Sequence, residues 1–331
     1  MIEITHPGKQ SLIIENPVII ASGMMGFEPS SYRDLIKLEK LGAMVTAPIT
    51  WKARGPAHGT RVVPFPGGLL LHTGLPNPGL TRIIRHYGKT WRGSELPIIV
   101  HLIATSRDDL RHCAEVLDEA EGIAGLELGL ADQVEPREAL TAIGILRDRS
   151  QLPLLVKLPL YNAPELARTA IDAGADALVV ASPPRGAERD PLSGQLIGGR
   201  LYGAWLKPLV LRAVGQIAEF ANMPIIACGG IHTADDARDY ISAGAKAVQI
   251  DTLLWAQPSA VEIIARNLGG LELTRAIGAL ADEWEPGLGK TQMMKRQRPA
   301  QPPATQPPTG LPERLPWGDE DTESTDPTDE F

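Results

Sequence analysis

Eight short apolar runs rich in valine and isoleucine recur along the first 250 residues, and helix-length segments separate most of them. This alternation constrains the fold more than any other feature. The runs are Pro17 to Ala21, Ala43 to Thr46, Pro97 to His101, Gly125 to Leu128, Leu154 to Leu158, Ala177 to Val180, Pro224 to Ala227 and Ala247 to Ile250. Strands apolar on both faces must be covered on both sides, so repeated strand and helix units predict a parallel sheet. The stretches Asp108 to Ala120, Pro164 to Ala173, Lys207 to Ala221 and Ala234 to Ala243 carry apolar residues at helical spacing. Thr233 is placed to cap the last of these. Gly174 and Gly244 sit in two similar turns, Asp172-Ala-Gly-Ala and Ser242-Ala-Gly-Ala, where glycine suits the left-handed end of a helix. Eight such units predict a closed parallel (β/α)8 TIM barrel, spanning residues 1–290, rather than an open doubly wound sheet. Met1 to Glu15 and Gly67 to Asn77 fall outside the repeat and are expected as extra hairpins or loops.

The formal charge of -8 on 331 residues is unevenly placed. Residues 297–331 hold eight acidic side chains against Arg298 and Arg314, so this segment carries -6 and the remainder only -2. A nearly neutral barrel lacks the basic face that nucleic-acid binding requires. The same terminal segment has eight prolines and few large apolar residues, and is expected to be a disordered, solvating tail. No apolar run is long enough to span a membrane, and Met1 to Gln10 lacks the order of a signal peptide, so a cytoplasmic location is expected. Cys113 and Cys228 are too few for a disulfide framework and are read as reduced thiols.

In barrels of this kind, phosphates often bind after strands seven and eight, where backbone amides converge. Here strand seven runs into Cys228-Gly229-Gly230-Ile231 and strand eight ends in Asp251-Thr252, while Gly198-Gly199 and Gly203 precede helix seven. These three loops are expected to converge on a phosphate-bearing ligand. Cys228 has no neighbouring base in the sequence and is read as a packing residue.

The run Asn16-Pro-Val-Ile-Ile-Ala-Ser-Gly, together with Gly74-Leu-Pro-Asn-Pro-Gly, Val156-Lys-Leu, Lys207-Pro-Leu and Cys228-Gly-Gly-Ile, resembles the class 1 dihydroorotate dehydrogenases. It is most similar to the type that works with a separate electron-transfer subunit, and the likeness covers residues 1–270. The resemblance implies an FMN-binding barrel that oxidises a small-molecule substrate in pyrimidine biosynthesis, with an electron-transfer partner protein and room for homo-oligomers. It places Ala21, Ser22 and Gly23 against the isoalloxazine ring, Thr46 beside it, and Gly203, Gly229, Gly230 and Thr252 near the phosphate. Lys157 stands where the family's flavin-contacting lysine stands, and a lysine there can stabilise negative charge on a reduced flavin; the alternative is a structural ion pair with Glu127. Gly74 and Leu75 fall in the substrate loop.

The substrate positions depart from the family. Its lysine after strand two aligns with Ala47, its asparagine before Gly74 with Leu71, its two asparagines after strand four with Gly129 and Val134, and its asparagine after strand six with Ala181. Asp132 takes the place of the catalytic cysteine and is the candidate base. His101 stands for a flavin-facing asparagine, His72 replaces a small residue, and Asp251 replaces a glycine beside the expected phosphate, which its carboxylate would repel unless it turns away. No histidine spacing supports a metal. The expected function is an FMN-dependent oxidoreductase with an altered substrate site. A non-catalytic flavin- or phosphate-binding barrel and a flavin-free lyase or isomerase remain as alternatives.

Overall fold

The computed structural model of the chain describes residues 1–5 and 11–276. The acidic segment 297–331 and the end of the expected 1–290 domain lie outside the described residues. All eight apolar runs are strands of one closed parallel barrel: β1 Val18–Ile20, β2 Ala43–Val45, β3 Ile98–Ile103, β4 Gly125–Gly129, β5 Leu154–Pro159, β6 Ala177–Ser182, β7 Ile225–Cys228 and β8 Ala247–Ile250. They pair in chain order, and β8 closes on β1 with Val248, Gln249 and Ile250 opposite Val18, Ile19 and Ile20. Most of their side chains are fully buried, because the barrel interior takes one face of each strand and the outer helices take the other.

The described helices are α1 Leu80–Arg92, α2 Arg107–Asp118, α3 Pro136–Arg149, α4 Ala163–Asp172, α5 Lys207–Ala218, α6 Ala234–Ser242, the single turn α7 Leu253–Ala256 and α8 Pro258–Ala276. Thr233 caps α6 as expected: its hydroxyl accepts from the Asp236 N–H, and the Asp236 carboxylate accepts from the Thr233 N–H in return. Gly174 and Gly244 follow α4 and α6 with φ of +88° and +112°.

Outside the barrel, Ile2–Glu3 pairs with Ile13–Ile14, the hairpin expected near the start. A four-stranded antiparallel sheet joins Arg185–Arg189, Leu196–Tyr202, Gly68–Leu71 and Val62–Phe65 in that order. Its two strands between β6 and α5 have no continuous apolar run to announce them: Arg185–Arg189 is polar, Leu196–Tyr202 is broken by Gly198, Gly199 and Arg200, and both are partly exposed, the second pairing with the segment around Leu70. This sheet corrects the expectation that Gly198-Gly199 serves a phosphate loop. Both glycines are strand residues, and a Cβ on Gly199 would lie 2.5 Å from the Leu71 carbonyl oxygen, so its bareness permits close strand packing.

Candidate active site at the barrel mouth

Four barrel strands each carry one polar residue inside an apolar run: His101 on β3, Glu127 on β4, Lys157 on β5 and Gln249 on β8. All four are buried, and they join across the barrel interior. His101 Nδ1 lies 2.7 Å from Glu127 Oε1, the Gln249 amide donates to Glu127 Oε2, and Lys157 Nζ donates to Gln249 Oε1 at 2.8 Å. Lys157 Nζ is also 3.7 Å from Glu127 Oε1, so the ion pair given as the alternative role of this lysine is present.

Burial opposes ionisation of Glu127, yet the Lys157 charge and the His101 and Gln249 hydrogen bonds outweigh it and hold the carboxyl at about 2. For Lys157, burial works against the charge, whereas Cys228 and Glu127 favour it, and the amine is held above its ordinary range. Burial pushes the Cys228 thiol up to about 11, so Glu127 is the anion that keeps Lys157 charged at neutral pH. Lys157 and Glu127 thus form a buried ion pair to which His101 and Gln249 supply hydrogen bonds, a condition under which buried charges are tolerated without large cost.

Above it opens a cavity of about 110 Å³, lined in part by Ala21, Ser22, His101, Lys157, Cys228 and Asp251. Through Leu75, Ile103, Gly129, Leu130 and Arg200 it shares walls with a wider pocket of about 470 Å³ between the ends of β3 and β4 and the helices that follow them. The two spaces are consecutive parts of one mouth, and the inner one alone is too small for a drug-sized ligand.

Of the residues expected at a flavin, Ala21, Ser22 and Lys157 line the inner cavity and Gly23 follows them with φ +86°. Thr46 is buried behind the wall, where its hydroxyl donates to the Ala47 carbonyl and accepts from the His101 N–H. Gly203, Gly229, Gly230 and Thr252 are not among the residues lining either cavity. Gly229 and Gly230 have φ of +122° and +70°, and their amides have no hydrogen-bond partner among the described residues. A Cβ on Gly230 would lie 2.3 Å from the Lys207 amide nitrogen, so this turn is pressed against the start of α5.

At the substrate side, Leu75 lines both cavities with φ +55°, whereas Gly74 packs against Ala57 away from them. Asp132 faces the wider pocket, and Arg185 Nε at 2.9 Å and Arg200 Nη1 at 2.5 Å both donate to its carboxylate. His72 lines neither cavity, so it is not brought to His101, and no cluster able to hold a metal exists among the described residues.

Asp251 does not turn away from the barrel. It is 2 % exposed and lines the inner cavity, and its Oδ2 has no partner among the described residues. Burial raises its carboxyl above the ordinary aspartate range, with His232 and Thr252 acting in the opposite sense. His232 Nε2 is a second buried atom without a partner among the described residues. Sequence reading missed Gln249, Arg185 and Arg200. A lone glutamine within Ala-Val-Gln-Ile was the available signal for the first, because a strand buried on both faces rarely carries an amide without a partner; the arginines sit on strands that had no signal.

The sequence profile of the dihydroorotate dehydrogenase family matches residues 8–271. The chain is 33% identical over 304 residues to the dihydroorotate dehydrogenase B (NAD(+)) catalytic subunit of Geotalea uraniireducens, covering 82% of this chain and 99% of that protein. Proteins of the same name from Desulforamulus reducens and Trichlorobacter lovleyi are each 33% identical, over 280 and 294 residues, which is 80% and 82% of this chain and 91% and 96% of theirs.

Proposed function

This chain belongs to the dihydroorotate dehydrogenase family, and from that premise we propose that it is an FMN-dependent oxidoreductase acting on a CH–CH bond of a substrate other than dihydroorotate. The observation that carries the reading is Lys157, a buried cation held by Glu127 and Gln249 at the wall of the barrel mouth. A fixed ammonium there is suited to the negative charge of a reduced flavin. The residues present fit the group. Ala21, Ser22 and Gly23 offer a small-residue wall to a planar ring that spans the inner and outer cavities, with Thr46 behind it. The amides of Gly229 and Gly230 suit a phosphate, with Gly203 and Thr252 beside them. The orphaned Oδ2 of Asp251 would take a hydrogen bond with a polar group of the cofactor, and burial favours the neutral carboxylic acid, which would remove the repulsion that a carboxylate brings.

When bound, FMN supplies the hydride acceptor. The chain's own residues select what reaches it. None of the five family positions Ala47, Leu71, Gly129, Val134 and Ala181 offers a side-chain hydrogen bond to a pyrimidine carboxylate, and a small polar ring in that site would leave its own groups unsatisfied. The wider pocket instead has Leu110, Leu130, Val134 and Ile145 in its wall, and Arg54 and Arg107 at its edge form no salt bridge among the described residues. This composition suits an organic anion with an apolar body larger than dihydroorotate, approached by Leu75 on one side, with Gly74 behind it supporting the loop. Asp132 serves the site by tying the loop after β4 to Arg185 and Arg200, which engage one carboxylate oxygen each. Reoxidation falls to an electron-transfer partner protein, as the catalytic-subunit names of the relatives suggest.

The test is the visible spectrum of the purified protein. Flavin absorption that is stoichiometric, or that appears on adding FMN, is expected, with dihydroorotate failing to bleach it anaerobically. A protein that neither carries nor binds FMN would sink the proposal and favour the flavin-free readings.

A further inference from the structure

Asp132 faces the wider pocket with an arginine on each carboxylate oxygen, so proton acceptance at the inner cavity has to come from another group on its wall. Lys157 is already protonated, and burial keeps the Cys228 thiol and the Tyr202 phenol protonated and favours the acid form of Asp251. His101 is left. Its Nδ1 lies 2.7 Å from Glu127 Oε1 in a pair that is almost wholly buried. Glu127 is a carboxylate at neutral pH, so Nδ1 is the nitrogen that carries the proton and donates it. In the neutral ring, Nε2 then holds the lone pair.

Gly129 leaves room for the imidazole at the cavity wall. A Cβ at residue 129 would stand 2.7 Å from His101 Nε2 and 2.9 Å from Cε1, so the imidazole fills the space that a side chain there would need. His101 and Gly129 both line the inner cavity, and Nε2 has no hydrogen-bond partner among the described residues. The backbone N–H of His101 donates to the Thr46 hydroxyl, which fixes the strand end from the β2 side. The other ionisable groups at this cavity are Lys157 on β5, Arg200 and Tyr202 on the strand Leu196–Tyr202, Cys228 on β7 and Asp251 after β8, and none of them is hydrogen-bonded to the ring.

We infer that His101 and Glu127 form a proton-accepting dyad, with Nε2 of His101 facing the barrel-mouth cavity as the general base of the reaction. The inference rests on the proposed CH–CH oxidation. One substrate carbon gives its proton to Nε2, and the electron pair of that C–H bond becomes the second bond of C=C. The neighbouring carbon's hydrogen leaves with its electron pair as hydride to the flavin. Glu127 stabilises the imidazolium until the proton passes to solvent, the role a buried carboxylate plays behind any histidine base. A base within reach of the reacting carbon contributes about 10²- to 10⁴-fold in rate.

Acylation of the native, flavin-loaded protein by diethylpyrocarbonate, read residue by residue by mass spectrometry, tests whether Nε2 is presented. His101 is expected to react, and about tenfold or more slowly in Glu127→Gln. Anaerobic flavin reduction by dihydroorotate, dihydrouracil and 3-phenylpropanoate supplies the second readout. With any reductant that works, His101→Asn is expected to retain flavin absorbance while losing about 100-fold or more in rate, together with the acid limb of the pH profile. His101 left unmodified in the native protein while other histidines react would overturn the inference, as would His101→Asn with the wild-type rate and profile. If none of the three compounds reduces the flavin, the acylation result decides alone. A protein without flavin defeats the proposed function instead, and the presentation of Nε2 is still read by acylation.

Discussion

Two polar regions of the same barrel are built in opposite ways. In the layer formed by His101, Glu127, Lys157 and Gln249, each side chain has a partner within the protein, and the charges sum to an ion pair. Two residues beyond Gln249, just after β8, Asp251 Oδ2 is equally buried and has none among the described residues, with the unpartnered His232 Nε2 beside it. The difference teaches what each is for. A partnered layer is finished before any ligand arrives and can hold a lysine and a histidine in fixed geometry, whereas an orphaned polar atom is a cost that a ligand relieves.

The sharpest way to break this comparison is Glu127→Ala, which strands three buried partners, His101, Lys157 and Gln249. A loss of about 3–5 kcal/mol in urea unfolding is expected, and a loss under about 1 kcal/mol would mean that the layer is not the paired unit described. Acid titration probes the same group more gently. Because its folded carboxyl is held at about 2 against an ordinary 4.5, the stability it contributes is present above pH 4.5 and lost as the pH falls toward 2. Glu127→Gln should flatten that part of the stability curve.

For Asp251 the sign reverses. Its raised carboxyl means the folded state holds a proton that the unfolded state has released, so stability falls as pH rises from the ordinary aspartate range through the folded value. Asp251→Asn should remove that slope, and so stabilise the flavin-free protein more in mildly alkaline than in mildly acidic buffer. An unchanged or steeper slope by chemical denaturation would show that the carboxylate finds a partner. The smallest effect is expected from Asp132→Asn. Its ion pairs are partly exposed, so global stability should change by about 1 kcal/mol or less, while flavin binding stays intact and limited proteolysis within 130–135 quickens.

The barrel was legible because its strands are local: a run such as Leu154 to Leu158 declares burial on both faces wherever it sits. The strands at Arg185–Arg189 and Leu196–Tyr202 were not, since their residues become sheet only by pairing with Gly68–Leu71. The site divides along the same line. Lys157 within a barrel strand and the Gly229-Gly230 pair after another could be read from positions in the chain. That His101 swings into the space left by Gly129 could not, because the two residues are distant in the chain and meet only when β3 and β4 pair, with His101 opposite Glu127.

By itself, then, the sequence determined an eight-unit parallel barrel and the family to which it belongs, because hydrophobic periodicity and collinear motifs are properties of order along the chain. Only the tertiary structure decided which polar residues share a layer, which carboxylate is pinned by arginines and which is left without a partner. Those outcomes depend on closure of the barrel, which sets residues from strands four, five and eight within hydrogen-bonding distance across its interior.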